Sequence, residues 1–140
     1  MSWLTVTYRP GFQEELTSWR MQIKSDGRLW QKVDIRRFSP PEQATHEHRG
    51  RLANEELAKL RLLVSALDFE AVERTAREQV VDDAEEVSFE VHEEGAARRF
   101  WGHPEWWDFQ AQRGELTRPE LHGALALWRA VLRCSPYHEK

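Results

Sequence analysis

Six histidines, one cysteine and 24 acidic side chains are the groups through which this 140-residue chain could do chemistry. His46-Glu47-His48 sets two imidazoles two residues apart, and in extended backbone both rings fall on one side, as in a two-point metal clamp. Spacing fixes no third ligand. His92, His103, His122 and His138 are scattered, and the His-Glu-x-x-His pattern of zinc hydrolases does not occur, so no metal site is expected. Cys134 is the lone cysteine, which excludes an intrachain disulfide and any cysteine-based metal or redox motif; it follows an apolar stripe and reads as a partly buried structural thiol. There is no Gly-x-Ser-x-Gly elbow and no glycine-rich phosphate loop, and Gly11, Gly27 and Gly95 are explained by turns. Carboxylates between Asp82 and Glu94 are numerous enough that some pair would always match the spacing of a glycoside-hydrolysing acid and base, which removes the signal. No catalytic residue, metal or cofactor is therefore assigned.

Seven tryptophans remain to be explained. Indole is apolar in body and polar at its N–H, so a tryptophan is either buried with a hydrogen-bond partner or exposed at a contact surface. The densest segment is Phe100-Trp101-Gly102-His103-Pro104-Glu105-Trp106-Trp107-Asp108-Phe109, whose five aromatic rings cannot all face one core from a strand running into a Gly-Pro turn. Two readings stay open: a satellite core burying about three of the five rings, or a binding surface in which Trp106 and Trp107 are interleaved with His103, Glu105 and Asp108.

The elements that position these residues follow from hydrophobic period. Trp3 to Tyr8 reads as a strand closed by Pro10-Gly11. Leu16 to Arg37 reads as a hairpin whose three-residue loop Ser25-Asp26-Gly27 pairs Ile23 with Leu29, Trp19 with Val33 and Thr17 with Ile35. Trp19 is then inward and Trp30 outward, a further contact candidate. Ser39 to Arg51, with Pro40-Pro41, Gly50 and few apolar residues, reads as an irregular connection. A helix capped by Asn54 carries the stripe Leu57, Leu60, Leu63, Val64 and Leu67, is interrupted at Asp68-Phe69, and keeps a weaker helical period to Val80. Val87, Phe89 and Val91 open a second hairpin through Gly95. A three-residue loop pairing Val87 with Trp101 is favoured there over a two-residue loop pairing Phe89 with Phe100, because it keeps Glu94 out of positive φ. Thr117-Arg118-Pro119-Glu120 reads as a capping box flanked by a Leu116–Leu121 staple, and the helix it starts buries Leu121, Ala124, Leu125, Trp128, Val131 and Leu132. Trp3 and Trp101 are left unassigned.

The order β-β-β-α-β-β-α implies one α+β domain over residues 1–140, a two-layer sandwich of about five antiparallel strands with helices on one face. Net charge is −4, and between Asp68 and Gly95 eleven acidic residues stand against two basic ones, a balance that disfavours nucleic acid. No apolar run reaches the roughly 18 residues of a membrane span, and no leader is evident, which with the single cysteine implies a cytoplasmic protein. The expectation is a protein-binding module of inhibitor, immunity or adaptor type with a basic partner, and not an enzyme. The alternatives are an enzyme or small-ligand binder with a sheet-helix pocket, and a self-associating domain forming a homo-oligomer.

Overall fold

Strands with a residue period of two build the larger layer of this protein, seen in a computed structural model that describes residues 2–11, 15–78 and 85–137. β1 (Ser2–Arg9), β2 (Glu15–Lys24), β3 (Arg28–Phe38), β4 (Pro41–Arg51), β5 (Glu86–Glu93) and β6 (Ala96–Gly102) form one sheet in the order β4-β3-β2-β1-β5-β6. Every neighbouring pair is antiparallel, so β1 joins a three-stranded meander to a two-stranded hairpin.

One face of this sheet is apolar. Leu4 and Val6, Trp19, Met21 and Ile23, Leu29 and Val33, Val87, Phe89 and Val91, and Phe100 are all buried on it. Over them lie α1 (Asn54–Ser65), α2 (Phe69–Glu78), α3 (Pro104–Gln112) and α4 (Pro119–Cys134), which add Leu60, Val64, Val72, Leu121, Leu125, Trp128 and Val131 to the same cluster. The result is the expected α+β class with two layers. The first hairpin has the expected register, with Ile23 opposite Leu29, Trp19 opposite Val33 and Thr17 opposite Ile35. Gly27 takes the left-handed position at φ 95°, where its N–H meets the Lys24 carbonyl at 2.9 Å.

The structure departs from the sequence reading in five places. Pro41–Arg51 is a sixth strand and not an irregular connection, paired with β3 along its whole length. It lies at the sheet edge and is exposed at every position but His48, so no hydrophobic alternation is required of it, and charged side chains protect its free edge. The second hairpin turns on two residues, with Phe89 opposite Phe100 and Val87 opposite Gly102, and Glu94 sits at φ 52°. That backbone costs about 1–2 kcal/mol. Slipping the register would turn Phe100 out of the core, where it stacks on Phe89 at 4.8 Å and receives the edge of Phe69; burying a phenylalanine alone is worth about 1.5–3 kcal/mol, and the core term wins.

Between the leucine stripe and its weaker continuation the chain makes two helices, because Leu67-Asp68 leaves helical geometry and the Asp68 carboxylate accepts the Ala71 N–H at 3.0 Å, restarting the helix as α2. The extension of that period to Val80 lies outside the described residues. α1 begins one residue earlier than read: Ala53 is the cap and Asn54 the first helical residue, and Glu56 accepts the Ala53 N–H at 3.0 Å. In α4 the cap is Arg118 with no side-chain bond, since Pro119 occupies the first helical turn; Glu120 therefore falls one position short of closing a box with Thr117. The remaining departure is α3, which occupies the stretch read as a Gly-Pro turn and the connection after it.

Candidate binding site

α3 begins where β6 must stop. Gly102 ends the strand against the Trp107 ring, so close that a Cβ at this position would stand 2.3 Å from it; His103 caps the helix and Pro104 starts it. Winding the aromatic segment into a helix sorts its rings by a period of 3.6. Trp107 turns inward and is buried to 1% exposure, whereas Trp106 and Phe109, one turn apart, stack at 5.7 Å on the outside with exposures of 36% and 46%. The Arg113 guanidinium lies 5.3 Å from the Phe109 ring. Phe100 is in the core and Trp101 is half-buried. The segment is thus a satellite core and an exposed ridge together.

Glu105 and Asp108 occupy a third stripe of α3, facing a cleft of about 490 Å³ where the helical layer meets the ends of β1 and β2. Its walls include Tyr8, Trp19 and Trp128, a stacked trio with ring centroids 5.5 to 5.9 Å apart. Sheet register makes this trio: Tyr8 and Trp19 are directly opposite across β1 and β2, and Trp128 descends on them from α4. Glu85, just before β5, closes one end. Tyr8 donates its hydroxyl proton to the Glu85 carboxylate at 2.5 Å, and the Glu105 backbone N–H donates to the same group. His103 is buried behind it; its Nδ1 lies 2.8 Å from the Glu85 carbonyl, which can only accept, so Nδ1 carries the proton.

The electrostatics follow from that crowding. Burial pushes the Glu85 carboxyl above its usual range, and the nearby charges of Glu105 and Asp108 push it the same way, against the stabilising Tyr8 hydrogen bond. Burial likewise raises the Tyr8 phenol, reinforced by its bond to Glu85. Asp108 is held at the rim by an ion pair with Arg129.

Of the six residues singled out in the sequence, the structure gathers His103, Glu105, Trp106, Trp107 and Asp108 on or beside α3, with Trp107 and His103 inside rather than at the surface. Trp30 is elsewhere: it lies on the opposite face of the sheet, pairs with Gln22 and Arg49, and donates its N–H to Glu47 at 2.9 Å. Tyr8 and Glu85 were missed. A tyrosine ending an apolar strand row needs a partner for its hydroxyl, which was the available signal, but an acid 77 positions away cannot be matched to it without the β1–β5 register. Cys134 is half-buried, and burial pushes its thiol up to about 11. His46 and His48 do lie on one side of a strand, yet among the described residues no group of three or more histidine, cysteine or acidic side chains is placed to hold a metal.

Fold and site together define a two-layer α+β domain with an acidic, aromatic cleft under a short helix that displays two exposed rings. No family model matches the chain, and no curated protein matches it either.

Proposed function

We propose that this protein is a binding module that docks a basic polypeptide on the outer surface of α3. The observation that carries the reading is the stacked Trp106–Phe109 pair, exposed on a helix whose adjoining stripe is Glu105 and Asp108. Large rings held rigid at a surface lose little conformational freedom on docking and dominate interface energies, and flanking acids select and steer a partner of opposite charge. The acidic excess between Asp68 and Gly95 adds long-range attraction of the same sign. A cytoplasmic location belongs to this reading, supported by the single cysteine; among the described residues no helix is long and apolar enough to cross a membrane.

The test is retention of partners from the native cell by the wild-type protein and by a Trp106→Ala/Phe109→Ala variant whose thermal unfolding is unchanged. Partners held by the first and lost by the second support the reading, and equal retention sinks it.

One observation favours a second reading, an enzyme. Tyr8 and Glu85 are two titratable groups whose proton affinities are both raised, first by burial, and they are in direct contact inside a cleft, which is how acid-base sites are built. Turnover of chromogenic ester, phosphoester or glycoside substrates that Glu85→Gln abolishes would favour it over binding alone.

A further inference from the structure

The cleft beside α3 has a chemistry of its own. Three carboxylates from two parts of the chain, Glu85 just ahead of β5 and Glu105 and Asp108 from α3, converge on the stacked rings of Tyr8, Trp19 and Trp128, and none of the described lining residues is basic. We infer that this cleft seats a guanidinium, the arginine side chain of the polypeptide docked on Trp106 and Phe109; the inference rests on the protein-binding reading of α3.

Like carboxylates gathered in a partly buried space repel one another, and a cation entering the space relieves that repulsion. Burial of Glu85 against tyrosine and tryptophan strengthens that attraction, because the walls are less polar than water. A metal ion is the wrong cation for these walls: hard divalent ions want six or more oxygens in a closed shell, and four of the ten lining residues, Tyr8, Trp19, Trp128 and Tyr137, are aromatic. An organic cation instead uses the rings, which attract positive charge through their faces and shed little hydration to contact it.

Among organic cations the guanidinium fits best. It is planar, weakly hydrated and stacks on aromatic rings, and its five N–H groups fan out in one plane, suiting acceptors that approach from different walls as Glu85 and Glu105 do. The rim already displays the chemistry, since the Arg129 guanidinium is bound to Asp108 there. That pair engages Asp108 and leaves Glu85, half-buried, and Glu105, at the exposed mouth, as the acceptors. A volume of about 490 Å³ exceeds what one side chain fills, so part of the bound peptide backbone would enter with it. Continuity with the ridge places the source: Glu105 and Asp108 line the cleft from the same short helix that displays Trp106 and Phe109, about 100° away round its axis, so a chain lying across α3 can meet both faces.

The probe is N-acetylarginine amide, with its citrulline counterpart as the neutral isostere and N-acetyllysine amide as the alternative cation. The indole N–H resonances of Trp19 and Trp128 report the cleft directly. The expected result is a saturable shift of both with the arginine compound and none with citrulline, weakened about threefold to tenfold in Glu105→Gln, which lies at the exposed mouth and leaves the core untouched. Trp106→Ala/Phe109→Ala should leave this response unchanged, which separates the cleft from the ridge. No saturable shift, or an equal one with citrulline, overturns the inference while leaving partner retention on α3 to stand or fall by itself. Equal affinity for the lysine compound overturns the choice of guanidinium.

Discussion

Glu85 is where single-residue chemistry and folding meet. Its folded-state proton affinity is raised, so between its ordinary carboxyl value of 4.5 and its higher native value the folded protein holds a proton that the unfolded chain has released. Stability contributed by this group is therefore complete at low pH and declines as pH rises through that window. Glu85→Gln keeps an oxygen for the Tyr8 hydroxyl but cannot ionise, so its stability relative to wild type should improve from about pH 4 to about pH 8, as read by urea unfolding at both. A gap that does not change with pH would mean that Glu85 is no more burdened than a surface acid. At this scale the sequence was partly legible. Glu105, Asp108 and Trp106 were found because they are packed into one short segment, whereas Tyr8 and Glu85 were not, because a contact across 77 positions exists only through the sheet.

Among the elements, hairpins and helices with a buried face were readable and those without one were not. The β2–β3 register followed from matching Trp19 to Val33 and Ile23 to Leu29, since only one pairing keeps charges out of the apolar row. β4 carries no such pattern because its side chains meet water on both faces, and backbone pairing to β3 alone makes it a strand. α3 was hidden for the opposite reason: nine residues with an almost continuous aromatic core look like a strand or a loop until Gly102 lets Trp107 fold back onto the chain. The β5–β6 turn was misjudged by weighing the strain at Glu94 above the packing of Phe100. Glu94→Gly should remove that strain while keeping the register, raising stability by about 0.5–1 kcal/mol after the extra flexibility of glycine in the unfolded chain is subtracted. Matched thermal melts of the two proteins check this; a loss of stability would imply that the Glu94 side chain contributes more than its backbone strain removes.

For the molecule as a whole, the two faces of the sheet divide the tryptophans into separate populations. Trp3, Trp19, Trp107 and Trp128 are buried in the core, Trp106 is exposed on α3, and Trp30 lies on the uncovered face with its N–H held by Glu47. Trp101 belongs to that uncovered face as well, on β6 opposite Ser88. A partner that docks on α3 and enters the cleft therefore has a signature that no contact with the open sheet could imitate. The most direct measurement is a two-dimensional 1H–15N spectrum of the seven indole N–H groups during titration with an arginine-rich peptide. The binding account predicts that Trp106, Trp19 and Trp128 shift together to saturation while Trp30 and Trp101 stay in place. Movement of Trp30 and Trp101 with Trp106 unmoved would put the interface on the other side of the sheet and contradict it.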